Sequence, residues 1–150
     1  RRQRQMCIRD STRIIDEKFP DFDSVIPNDN DKNLTVDKKD LLSAVKRVSI
    51  FSNKSTHQIA LSLNGDQITI STEDAEQSTK AKEVVVGNYT GENITVGYNA
   101  AYLKDVLSHI GSDKITVQLK SPISAALFIP TVQEENQNLT MLLMPIRLNE

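Results

Sequence analysis

Asn33-Leu34-Thr35-Val36 and Asn93-Ile94-Thr95-Val96 are two versions of one short apolar and polar alternation. Each runs within a few residues into an amphipathic helical pattern, DKKDLLSAVKRVSIFS from Asp37 and GYNAAYLKDVLSHIG from Gly97. The offset of about 60 residues exceeds a usual solenoid period and predicts a duplicated half-domain rather than an open array. The segments beyond each helix match in kind. After the first come IALSL (59 to 63), a turn at Asn64-Gly65-Asp66, QITIST (67 to 72) and KAKEVVVGNYT (80 to 90). After the second come KITVQL (114 to 119), SAALFI (124 to 129) and LTMLLM (139 to 144). Strict alternation about a Gly-containing loop reads as a half-buried hairpin. Each half is therefore expected to be strand, helix and three strands, an α+β domain with two helices packed on antiparallel sheets.

Side-chain chemistry sets the helix limits. Asp37 and Asn99 stand where an N-cap oxygen would accept the first free N–H groups, with Asp40 in the place of a capping-box acid. Gly111 stands where a left-handed residue would close the second helix. In the first helix Leu41, Val45 and Val48 recur at helical spacing and need a sheet to cover them, while Lys39, Ser43, Lys46 and Arg47 project away. The second buries Leu103, Val106, Leu107 and Ile110 and shows Lys104, Asp105, Ser108 and His109. The cations of the first helix fit either a solvated face or contact with a phosphate backbone, which needs only positive charge and reach.

Composition narrows the classes. The 150 residues are 38% hydrophobic and 25% charged, with five Gly, five Pro and a formal charge of −2. This is a globular composition, without the run of roughly 20 apolar residues that a membrane helix needs. A single Cys7 can form no internal disulfide and points to a reducing, cytoplasmic setting. Residues 1–11 carry Arg1, Arg2, Arg4 and Arg9 against Asp10, have no hydrophobic period, and read as a foreign or disordered lead-in. Nucleophile-elbow, zinc-helix and phosphate-loop motifs are missing. His57 and His109 have no Cys, Asp or Glu at metal-ligand spacing, so neither catalysis, metal nor cofactor is expected.

The chain ends in LTMLLMPIRLNE. Pro145 cannot donate to a sheet ladder, so pairing is expected to stop there and leave the last residues beside a sheet edge. Adaptable Met144 and rigid Pro145 suit the wall of a shallow groove for a short apolar peptide.

In combination, IIDEKFPDFDSVIP (14 to 27), DLLSAVKRVSIFSN (40 to 53), ITVGYNAAYLKDVL (94 to 107) and MPIRL (144 to 148) resemble the C-terminal third of the bacterial DNA polymerase III beta subunit, the sliding-clamp family. The resemblance implies a DNA-clamp domain over residues 27–150, with residues 12–26 the end of a middle domain and its linker. In that family three such domains form a protomer, and two protomers close into a homodimeric ring around duplex DNA. It also implies a groove for short motifs of the polymerase alpha subunit and clamp loader, lined by Pro20, Val25, Asn99, Tyr102, Ile123, Met144, Pro145, Ile146 and Arg147, with Leu142 and Leu143 beneath. Ser24 departs from the Arg of some members, and the family's groove is completed by the middle domain, so this chain alone is expected to bind peptide poorly. Lys39, Lys46 and Arg47 would face DNA. Ring closure would use Ile50, Phe51 and the strand from Lys80 to Val86, including Val84. The rival expectation is a non-DNA protein interaction module without catalytic activity.

Overall fold

The computed structural model describes Asp21 and residues 23–148. The expected lead-in (1–11), most of the expected linker and Pro20 lie outside the described residues. The element order is β1 (Lys32–Asp37), α1 (Lys38–Ser49), β2 (Gln58–Asn64), β3 (Gln67–Asp74), β4 (Thr79–Thr90), β5 (Ile94–Asn99), α2 (Ala100–His109), β6 (Lys114–Leu119), β7 (Ala126–Pro130) and β8 (Met141–Leu143). Strand, helix and three strands occur twice, as the duplicated sequence requires. All pairings are antiparallel, in one curled eight-stranded sheet ordered β5-β2-β3-β4-β1-β6-β7-β8.

The two copies exchange partners. β1 pairs with β6 of the other copy, and β5 pairs with β2. Asp37 lies opposite Lys114, the first residue of β6, and Asn99 lies opposite Gln58, the first residue of β2. Two backbone bonds repeat the exchange at the helix starts: Lys38 N–H donates to Asp113 O and Ala100 N–H to His57 O, each at 2.8 Å. These pairs describe an internal twofold. The structural equivalent of Asp37 is Asn99, so the NLTV and NITV match is displaced by one full pleat. Because side chains alternate with period two, this displacement keeps the inward residues inward. Leu34 and Val36 in β1, and Val96 and Tyr98 in β5, are all buried.

Both caps form. Asp37 Oδ1 accepts from Lys39 N (2.9 Å) and Asp40 N (3.2 Å), and Asn99 Oδ1 accepts from Ala101 N (2.9 Å) and Tyr102 N (3.4 Å). Leu41, Ala44, Val45 and Val48 of α1 and Leu103 and Leu107 of α2 are buried on the sheet; Val106 is only partly covered. The expected left-handed Gly111 is not found. α2 ends instead with Ile110 in extended backbone (φ −80, ψ 122). Ile110 is buried, and its carbonyl, left free by the helix, accepts from Lys38 Nζ at 2.6 Å. A side-chain ammonium thus does what a glycine-based C-cap would have done.

The β2–β3 hairpin turns at Gly65, whose φ of +55 is the left-handed conformation glycine adopts freely. β4 then divides its partners. Thr79–Val86 pairs with β3, and Gly87–Thr90 with β1. β8 is shorter than the alternation in LTMLLM suggested, because the side chain of Gln133 satisfies both backbone groups of Leu139 at 3.0 Å.

Candidate docking groove and outer faces

Asn99 would set the first wall of the candidate groove. Its Oδ1 is committed to the α2 cap and its Nδ2 donates to Thr56 O at 3.2 Å, so its side chain chiefly holds the helix start. Tyr102 follows in the first helical turn and is 65% exposed. The chain leaving β8 supplies a second stretch. Leu143 is buried, Leu142 partly so, and Met144 is 59% exposed. Pro145 and Ile146 are half-buried and Arg147 exposed.

The register of β7 and β8 brings Ile123 to the same end of the sheet. Ala126 pairs with Leu143, so the loop before Ala126 lies beside the chain after Leu143. Val25 is exposed on a turn-rich segment that is fastened to this end by Asn30, whose Nδ2 donates to Gln118 O (3.1 Å) and Ala125 O (3.3 Å). Asp29 and Lys120 add an ion pair that holds the Asp29 carboxyl below its usual range. Sequence reading missed Asn30, Asp29 and Lys120, since contacts between residues so distant in the chain leave no periodic trace. Ser24 Oγ donates to Asp21 O at 2.6 Å, a local turn bond that consumes its only proton.

Tail and β5 also meet. Ladder pairing ends at Leu143, just before Pro145, and the last described residues lie beside an edge strand, as the missing proline N–H suggested; that edge is β5. Ile146 bridges to Gly97, donating its N–H to Gly97 O at 2.9 Å, and so joins the β8 end of the sheet to its other edge, β5. The GYN and MPIRL motifs are therefore in contact: Gly97 receives the tail, and Asn99 caps the helix beside it.

On the outer side of α1, Lys39, Lys46 and Arg47 are exposed, but they differ in freedom. Lys39 Nζ is 3.3 Å from Asp113 Oδ1. Arg47 grips the Glu83 carboxylate of β4 at two points, Nε to Oε2 at 3.1 Å and Nη2 to Oε1. The pairing lowers the Glu83 pKa and raises that of Arg47. Lys46 has no ion-pair partner among the described residues. Lys104 of α2 turns inward to Ser49 Oγ at 3.3 Å.

At the far end of α1, Ile50 (76% exposed) and Phe51 lie bare, as do Val84 and Val86 on β4. Lys80 pairs with Glu73 at 2.9 Å. The edge of Thr79–Val86 away from β3 has no strand partner among the described residues, because β1 gives way to α1 there. Contrary to expectation, His109 has an acid one helical turn away, its Nδ1 3.5 Å from Asp105 Oδ1, but no group of three or more His, Cys, Asp or Glu able to hold a metal occurs among the described residues.

A curled, twofold-duplicated sheet backed by two helices is the fold of a clamp domain. Solved sliding clamps share it: the DNA polymerase sliding clamp from Pseudomonas aeruginosa matches with a TM-score of 0.82 at 34% identity, over 89% of this chain and 36% of that one. The beta sliding clamp of C. crescentus matches with a TM-score of 0.83 at 34% identity, over 89% of this chain and 35% of that one. In sequence, the chain is 33% identical over 138 residues to the beta sliding clamp of P. aeruginosa, covering 92% of this chain and 36% of that protein. Residues 23–147 match the family described as DNA polymerase III beta subunit, C-terminal domain, and the chain belongs to that family. It spans about a third of the length of the curated relatives it matches.

Proposed function

We propose that this domain is a non-catalytic part of a processivity clamp, one wall segment of a cytoplasmic homodimeric ring around duplex DNA that docks the polymerase alpha subunit and clamp loader through short peptides. The observation that carries the reading is the pairing of an unpartnered β4 edge, flanked by Ile50, Phe51, Val84 and Val86, with a helix whose outer face is cationic, in a chain whose relatives are sliding clamps. Bare apolar residues beside a free strand edge fit strand-to-strand association. The cations fit sequence-independent contact with phosphates. Because Lys39 and Arg47 have acidic partners in the same chain, Lys46 is the strongest phosphate contact of the three.

The docking groove on this reading comprises Val25, Asn99, Tyr102, Ile123, Met144, Pro145, Ile146 and Arg147 over Leu142 and Leu143. It takes apolar anchors of an extended peptide, and Pro20 and a middle domain would complete it. The test is titration of a fluorescein-labelled peptide from the C-terminal tail of the host polymerase alpha subunit against the full-length ring. Changing Met144 and Pro145 to Ala is expected to weaken binding at least tenfold; unchanged affinity refutes the groove.

A further inference from the structure

Gly97 lies in ordinary extended backbone, so a β-carbon is excluded by space and not by conformation. One placed there would come within 2.6 Å of Ile146 O, 2.7 Å of Leu148 Cδ2 and 2.9 Å of Leu148 Cγ. Its closest neighbour is backbone, which cannot rotate away. Across the strand pair Gly97 faces Ala60, and Ala60 in turn faces Ser71. Three small residues in a row make a low place on the outer surface of β5, β2 and β3. Leu148 is half-buried against it and shares with Gln58, Ala60 and Ser71 the lining of an open depression.

We propose that Ile146–Leu148 is a latch seated on Gly97 and Ala60, and that Gly97 is the positioning residue that holds the Met144–Pro145 groove wall in place. Upstream, the segment Met144–Pro145 is held by the pairing of Leu143 with Ala126. The Ile146 N–H bond to Gly97 O fixes it downstream. Gly97 is also two residues from the Asn99 cap, so one short stretch of β5 locates both the tail and the start of α2 that carries Tyr102. A wall pinned at both ends presents its side chains without an ordering cost at binding. The latch has this role only if the proposed peptide groove is real.

The experiment compares Gly97→Ala, Leu148→Ala and Met144→Ala in the full-length ring. It measures affinity for the same labelled peptide, hydrogen-exchange protection of the Ile146 amide, and ring integrity by sedimentation. Gly97→Ala is expected to weaken the peptide at least tenfold and to strip protection from Ile146, with the ring intact. Leu148→Ala introduces no clash and is expected to weaken it about threefold with partial loss of protection; it decides the matter if Gly97→Ala disturbs the ring. If Met144→Ala weakens binding while Gly97→Ala, or failing that Leu148→Ala, leaves it native, the latch is overturned and the groove stands. If Met144→Ala is also without effect, the groove reading falls and the latch as a positioning device falls with it.

Discussion

Arg47 and Glu83 join α1 to the β4 strand by two charge-assisted bonds, and the Glu83 pKa is lowered by that guanidinium. A carboxylate with a depressed folded pKa stabilises the fold above its unfolded value and loses that contribution as pH falls through the folded one. The pair should therefore be fully effective above the ordinary glutamate value of 4.5 and fade in more acidic solution. Thermal melts of Glu83→Gln against wild type should converge as pH drops below that value and diverge above it. Tyr98 behaves oppositely. Its hydroxyl is buried with no hydrogen-bond partner among the described residues, and burial pushes the phenol far above its usual range. Tyr98→Phe keeps the edge-on contact with Phe128 (centroids 6.3 Å apart) and removes the unpaired group. It should raise stability by about 1 kcal/mol, measured by denaturant titration. Exposure of Lys39, Lys46 and Arg47 was legible from helical spacing alone. That Glu83 would claim Arg47 was not, because a contact across β4 depends on how the sheet curls.

At the scale of elements the two N-caps make the sharpest comparison. Asp37→Ala and Asn99→Ala should each cost about 0.5 to 2 kcal/mol of stability, read from urea midpoints. Only Asn99→Ala should also weaken the labelled peptide, since Asn99 fixes the helix start that carries Tyr102 and is tied to Thr56. Equal effects on peptide affinity from both caps would contradict the placement of the groove at α2. The helices and most strands could be read from the chain because periods of 3.6 and 2 and short polar caps are local properties. The ends escaped where long-range groups intervened. Lys38 closes α2 in place of Gly111, and Gln133 substitutes for a strand partner at Leu139. Of the proposed groove, Met144, Pro145 and Tyr102 could be picked out through resemblance, whereas the contact of Gly97 with the tail needed the path of the chain.

For the whole molecule, the proposed reading gives two different jobs to one structural place of the internal twofold. Ile68 faces Val85 in the first copy as Ala126 faces Leu143 in the second, so β8 is the counterpart of the β4 segment with the open edge. Val84 and Val86 correspond to Leu142 and Met144. β4 runs on through Gly87 to pair with β1, leaving a long uninterrupted edge suited to another strand. Its counterpart is cut short by Pro145, and beyond it Ile146 and Leu148 rest against Gly97 of β5, so no long strand edge is left there. On the proposed reading the two sites should separate cleanly. Val86→Asp places a charge on the β4 edge and should raise the ring dissociation constant at least tenfold, about 1.4 kcal/mol, while each protomer keeps its peptide affinity. Met144→Ala should do the reverse. Lys46→Glu should leave both unchanged and shorten retention on circular DNA, with a shallower dependence on salt because a phosphate contact is lost. Sedimentation, peptide titration and DNA retention on the same three variants would show three independent losses; a Val86→Asp ring that stays closed would mean that the free β4 edge is not where the ring is joined.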